Sequence, residues 1–386
     1  MVNAEGASRE AGCEEEAKKP EEGPSLLDGK KVSAVVLDEL RARIKQERLE
    51  PHLHVITVGE DVGSKVYVKQ KRLAAEKTGI AFSQSSLPPE TSLAELREVV
   101  QQKNRDAHVH GIIVQLPLPE ALRPHEREVL DLVDPAKDVD CFHPLNFGHL
   151  ALGSPVFLPA TPAGVLRLLK HYGIETVGKH CVILGKSNIV GKPLGLLLSQ
   201  EDGPAATVTL CDQYTEGVWD ITRQADILIV AAGKHHLVND PSVLREDGQV
   251  AIIDVGIHRV TNAEGKSVVQ GDVDAAAVQG RCRWLTPVPG GVGPMTVACL
   301  LEQVVEAAAR LSAPRESVRR AFEESAGSLQ SLMGSRDLAE LLARLEPTFQ
   351  SEQLQAALRP LEANDAGRVK LDDFLRWVFD ADTPDG

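Results

Sequence analysis

From Leu26 onward, Val32, Val35, Val36, Leu40 and Ile44 recur at three- and four-residue spacing, which predicts an amphipathic helix. The run His54-Val55-Ile56-Thr57-Val58, closed by Gly59, predicts a strand. A second helix is expected to begin near Ser64 as its N-cap, and on it Tyr67 and Lys71, four apart, share a face. From Val109 to Val114 the chain is apolar, then passes through Gln115-Leu116 into Pro117-Leu118-Pro119. Apolar strands between helices belong to buried parallel sheets, and functional groups collect at their C-terminal ends, where Gln115 falls.

The pattern repeats beyond residue 150. Thr161-Pro162 is read as an N-cap followed by proline at the first helical position, with Leu166, Leu168 and Leu169 on the apolar face. The strand His180–Leu184 meets Gly185-Lys186-Ser187-Asn188-Ile189-Val190-Gly191 and a leucine-rich helix. This is how a Rossmann-type domain sets backbone N–H groups and a helix N-terminus against a pyrophosphate, although the glycine spacing departs from G-x-G-x-x-G. Strands at 206–210, 226–231 and 250–254 follow at βα spacing, so a doubly wound parallel sheet is expected. After a strand-like Arg283-Trp284-Leu285 comes Thr286–Thr296, T-P-V-P-G-G-V-G-P-M-T, with three prolines and three glycines. Such runs are often ordinary turns, but eleven residues of this composition ending at a helix favour a rigid binding loop. The helix after Met295 carries Val297, Leu300, Leu301, Val304 and Val305.

Composition narrows the class without naming a function. A chain of 386 residues, 42% hydrophobic and 25% charged, suffices for two or three globular domains. A net charge of −14 argues against nucleic-acid and anionic-membrane partners, and no apolar run is expected to reach the roughly 20 residues of a membrane span. Six scattered cysteines without a CxxC pair or metal-ligand spacing read as reduced thiols in a cytoplasmic setting, with no metal site. Residues 1–24, acidic and poor in hydrophobes, read as a disordered tail.

Several of these stretches together resemble the bifunctional methylenetetrahydrofolate dehydrogenase/cyclohydrolase family. The Thr286–Thr296 loop is similar to the family's signature loop between folate and nicotinamide. Ser64–Lys71 resembles its Tyr-x-x-x-Lys helix, Val114–Pro119 its V-Q-L-P-L-P motif, and Lys137–Asn146 its K-D-V-D-G-F-H-P-x-N. Gly185–Pro193, Ala232-Gly233-Lys234, Asp254–Ile257 and Gly271-Asp272-Val273 continue the match, which covers residues 25 to 312. From the residues alone, Tyr67 and Lys71 could be a surface lysine lying on a ring, Gln115 a backbone cap, and the Asp138 and Asp140 loop merely solvated. The resemblance implies instead that Lys71, Tyr67 and Gln115 are catalytic, and that Tyr67, Gln115, Leu116, Asp140, Pro289, Gly290 and Gly293 bind substrate. It also implies that Thr161, Gly185, Lys186, Ser187, Asp212, Gln213, Ile257 and Thr296 bind the dinucleotide. A lysine suits proton removal from attacking water if burial or a neighbouring cation lowers its pKa, and a carboxylate such as Asp140 suits the paired donors of a pterin. The chain departs from the family at Cys141 (Gly), Ala160 (Cys) and Asp212-Gln213 (His-Ser).

The expected architecture is α/β with two domains and a cleft between them. Residues 25–150 form a folate-binding domain completed by helix 296–312, and residues 151–295 a Rossmann-type NAD(P) domain. Residues 313–386 form a helical extension in which Glu362–Asp373 resembles a worn EF-hand loop, with Ala366 and Lys370 at ligand positions and Asp373 for the bidentate Glu. The implied function is oxidation of 5,10-methylenetetrahydrofolate with NADP, NAD being possible, followed by hydrolysis of the methenyl product to 10-formyltetrahydrofolate, by a homodimer. The alternative is a folate- or nucleotide-binding protein that has lost turnover and acts through its C-terminal module.

Overall fold

A computed structural model of the chain describes residues 23–261 and 265–326, together with 332–334, 338, 368–370, 374 and 375. The chain enters through β1 (Ser25–Leu26) and α1 (Gly29–Glu47), whose N-cap Asp28 accepts a hydrogen bond from Lys31 N. Val32, Val36, Leu40 and Ile44 of α1 are buried as the spacing predicts, while Val35 points off that face to solvent. β2 (His52–Val58), β3 (Ala81–Leu87) and β4 (Gly111–Val114) form a parallel sheet of order β3-β2-β4. The crossovers are α2 (Val62–Thr78) and α3 (Leu93–Arg105). The apolar strand expected from Val109 is paired only from Gly111, so Gln115 lies just past the strand's C-terminal end. Two short helices, α4 (Glu126–Leu130) and α5 (Pro144–Ala151), lead out of this layer.

The second layer begins with α6 (Ala160–His171) and a six-stranded parallel sheet of order β1-β11-β8-β7-β5-β6. Its remaining strands are β5 (His180–Leu184), β6 (Thr207–Cys211), β7 (Ile227–Val230), β8 (Ala251–Asp254) and β11 (Trp284–Leu285). The chain runs outward from β5 to β6, then returns to β7 on the other side of β5, so the strand order reverses between β5 and β7. Ligands of open α/β sheets sit outside the carboxyl ends at such a reversal. The connections include α7 (Gly191–Leu198), α8 (Val218–Thr222) and α9 (Ala275–Val278), with an antiparallel hairpin of β9 (His258–Thr261) and β10 (Ser267–Gln270).

Helix α10 (Val292–Ala326) joins the layers, packing on α1, α2, β2 and β4 on one side and on α6 on the other. Its segment Val292–Ser312 is long and apolar enough to cross a membrane, contrary to the sequence expectation, because Met295, Ala298, Leu301, Val304 and Val305 serve a core shared by both layers. Nor does the helix stop at Ser312-Ala313-Pro314, since it continues to Ala326. Beyond it, β12 (Leu332–Gly334) pairs antiparallel with β13 (Arg368–Lys370), and Leu338, Phe374 and Leu375 are buried. The rest of the EF-hand-like stretch lies outside the described residues.

Two expected caps are displaced. Helix α2 is capped by Asp61, whose carboxylate accepts from Ser64 N at 2.6 Å, so Ser64 lies inside the helix. Helix α6 starts after Pro159 without a side-chain cap, and Thr161 turns instead towards α10.

Candidate active site

One helical turn separates Tyr67 from Lys71 on α2, and both face a cavity of about 350 Å³ between the layers. Lys71 Nζ donates to Gln115 Oε1 at 3.0 Å, while Gln115 Nε2 donates to Leu116 O at 2.9 Å, so the amide is fixed with its oxygen towards the lysine. Burial lowers the Lys71 pKa and the Asp140 carboxylate opposes that shift; burial raises the Asp140 pKa and Lys71 opposes it in turn. An ammonium in such a place releases its proton more readily than an ordinary lysine. Burial also pushes the Tyr67 phenol up, keeping it a neutral donor.

The two aspartates of the Lys137–Asn146 loop have separate tasks. Asp138 is buried and accepts from Phe142 N, His143 N and Asn146 Nδ2 at 2.8–3.0 Å, which folds the loop, and burial raises its pKa to about 6. Lys137 donates to the carbonyls of Lys103, Asn104 and Asp106 at the end of α3. Asp140 accepts no hydrogen bond from the described residues and lines the cavity with Gln115, Leu116 and Phe142, leaving its oxygens available to paired donors. Cys141 adopts φ 59° and buries its side chain in the core, away from the lining of this cavity.

The same cavity is closed by Thr161, Ile257, Gly293 and Thr296, with Thr161 Oγ1 and Thr296 Oγ1 3.1 Å apart. A second cavity of about 600 Å³ continues from it and is lined by Pro289, Gly290 and Gly293 as well as Tyr67, Lys30 and Arg259. The Pro/Gly loop is docked on α1, where Lys30 N donates to Gly290 O at 3.0 Å. A larger cleft of about 790 Å³ on the other flank of α2 shares only Gln115 with the proposed residues.

Gly185, Lys186, Ser187, Asp212 and Gln213 stand apart from these cavities, at the carboxyl ends of β5 and β6 beside the strand-order reversal. A dinucleotide fits the residues present. Gly185 has φ 121°, and a Cβ there would overlap Ala231 O, so only glycine lets the turn that leads into α7 pack against the end of β7, at the place where a Rossmann-type sheet takes a pyrophosphate. Lys186 Nζ lies 3.3 Å from Asp212 Oδ2, and Asp212 Oδ1 accepts from Tyr214 N and Thr215 Oγ1. The carboxylate is therefore held in its own turn, facing Lys186.

Sequence reasoning gave no task to the buried carboxylates Asp254 and Asp272 or to Thr286, whose Oγ1 accepts from Asp254 N at 2.7 Å. The pairing of each aspartate with a close glycine, in Asp254-Val255-Gly256 and Gly271-Asp272, is the signal that could have found them. No group of three or more His, Cys, Asp or Glu side chains among the described residues could hold a metal ion.

The family model for the tetrahydrofolate dehydrogenase/cyclohydrolase catalytic domain matches residues 27–140, and that for its NAD(P)-binding domain matches residues 159–312. The bifunctional protein FolD of Agathobacter rectalis is 46% identical over 289 residues, covering 74% of this chain and 99% of the relative. The crystal structure of the FolD enzyme from Campylobacter jejuni is 43% identical, with TM-score 0.67, covering 74% of this chain and 99% of that one. The Trypanosoma brucei FolD structure, solved with NADP cofactor and inhibitor, is 34% identical with TM-score 0.69, covering 75% of this chain and 98% of that one. With both domain models matched in order and relatives aligned almost end to end, the chain belongs to the tetrahydrofolate dehydrogenase/cyclohydrolase family.

Proposed function

We propose that this protein oxidises 5,10-methylenetetrahydrofolate to the methenyl cation and hydrolyses that cation to 10-formyltetrahydrofolate, both in the cleft between the layers. The observation that carries the reading is the Lys71–Gln115 hydrogen bond of 3.0 Å in a cavity that also holds Tyr67 and the unbonded carboxylate Asp140. Asp140 takes the amino group and ring N–H of the pterin as a bidentate acceptor. Tyr67 lies beside the folate, and Leu116, Pro289, Gly290 and Gly293 shape its walls.

Thr161, Ile257 and Thr296 would hold a nicotinamide at the cavity wall, where it would supply the acceptor for the hydride of the methylene carbon. In the second step water adds to the electrophilic methenyl carbon and Lys71 removes its proton. The C–N5 bond then breaks and N5 takes up a proton, leaving the formyl group on N10. The net change is one water consumed and one proton released. Gln115 holds the lysine amine in line, and burial keeps its neutral form accessible.

Gly185, Lys186, Ser187, Asp212 and Gln213 hold the dinucleotide, which is NADP, with selectivity against NAD weakened because Asp212 occupies Lys186. The protein acts as a cytoplasmic homodimer on tetrahydrofolate derivatives. The test is a spectrophotometric assay of the purified chain with methylenetetrahydrofolate and each dinucleotide in turn. Formation of the methenyl chromophore with NADP and, less efficiently, with NAD is expected; absence of any dinucleotide-dependent product overturns the reading.

A further inference from the structure

Two carboxylates outside the proposed catalytic set sit back to back beneath the cleft. Asp254, at the end of β8, accepts from Gly256 N, Asp272 N and Val273 N at 2.9–3.0 Å. Asp272 is fully buried, and its Oδ2 accepts from Ala232 N at 2.7 Å and Gly233 N at 2.8 Å. Its Oδ1 accepts from His258 Nε2 at 2.6 Å. The flanking glycines are there to make room, since a Cβ on Gly256 would overlap the Asp272 carboxylate and one on Gly271 that of Asp254.

Asp272 thereby ties together segments that face different ligands. Ala232 and Gly233 follow β7 at the strand-order reversal, and Ala231 O packs against the Gly185 turn. His258 follows Ile257, which lines both cleft cavities. His258 is the one side chain among the described residues that donates a hydrogen bond to this carboxylate, and it holds Oδ1 so that Oδ2 faces the two backbone N–H groups.

We propose that His258 is a positioning residue for dinucleotide binding, acting through Asp272 on the Ala232–Gly233 turn. The proposal rests on the function proposed above. Removing the donor leaves a buried carboxylate oxygen unpaired, and the carboxylate rotates to find another partner, releasing the turn. His258→Gln, whose amide Nε2 reaches about as far as the imidazole Nε2, restores the donor.

The experiment is titration of wild type, H258L and H258Q with NADP and with NAD, read by nucleotide fluorescence or calorimetry. Hydrolysis of methenyltetrahydrofolate without dinucleotide serves as the control for an intact folate cleft. H258L is expected to weaken dinucleotide binding by roughly tenfold, H258Q to recover most of it, and the hydrolysis rate to stay unchanged in both. Should H258L not fold, H258A removes the same donor with less bulk. Unchanged binding in the donor-less variant, or binding and hydrolysis falling in parallel, overturns the inference alone. A wild-type chain that binds neither dinucleotide overturns it together with the reading it rests on.

Discussion

Lys71 is useful because its surroundings disagree about its charge: burial favours the neutral amine, Asp140 favours the ammonium, and the net shift is downward. The base form therefore grows in as pH rises at values below the ordinary lysine range, so the hydrolysis rate should climb with pH there and level off above it. A flat pH–rate profile would remove Lys71 as the base. At the nucleotide end, Asp212 pairs with Lys186 and would repel a 2′-phosphate carrying about two negative charges. Asp212→Ser should release the lysine and raise kcat/KM for NADP relative to NAD; an unmoved ratio would show that Asp212 has no part in the choice. Cys141 holds a backbone conformation that suits glycine. Cys141→Gly loses a small buried side chain but relieves φ 59°, so denaturant melting should show a change within about 1 kcal/mol. A larger loss would mean that the thiol's packing in the core outweighs the strain.

At the level of elements, the histidines of the small sheet make a pH-sensitive set away from the cleft. His52 and His54 of β2 share Ser83 Oγ of β3, at 2.7 and 2.6 Å, and His54 also meets Ser85 Oγ at 3.0 Å. His110, before β4, is partly buried, and its Nδ1 has no hydrogen-bond partner among the described residues. Burial holds His54 and His110 at about 4, below the 6.5 of an unhindered imidazole, and lowers His52. Folded pKa values below the unfolded ones mean that this stability is complete above about pH 6.5 and is lost as pH falls towards 4. Urea midpoints should fall over that window, and His54→Gln should flatten the fall by about one proton's worth of slope; an unaltered slope would exclude His54. The elements themselves were largely legible: the apolar runs 180–184 and 227–230 and the α1 periodicity report burial directly. Their ends were less so. Asp61 and Ser64 are both good caps three residues apart, and only the folded chain shows which accepts the bond. The pairing of Ser25–Leu26 with Trp284–Leu285 joins positions some 260 residues apart, and no local pattern encodes it.

Across the whole molecule, α10 is common property of both layers, and its first turns contribute Gly293, Thr296 and Val297 to the cavity. The family match ends at residue 312, while the helix continues to Ala326. A chain ending after Ser312 is therefore expected to keep both activities, and its inactivity would show that the extension supports the cleft. Calorimetric titration of the full chain with calcium should show no micromolar binding, because the loop at 362–373 lacks carboxylates at several ligand positions. A clear micromolar isotherm would make the extension a calcium sensor. The site was readable as far as motifs carried it, from Lys71 to Thr296, whereas the Asp254–Asp272–His258 network emerges only once three loops meet in space. If one cleft serves both reactions with Lys71 moving the proton, Lys71→Met separates catalysis from binding when methenyltetrahydrofolate hydrolysis and folate binding are measured on the same preparation. Hydrolysis is expected to fall by roughly 10²–10⁴-fold while folate still binds; hydrolysis at the wild-type rate would exclude Lys71 as the proton carrier.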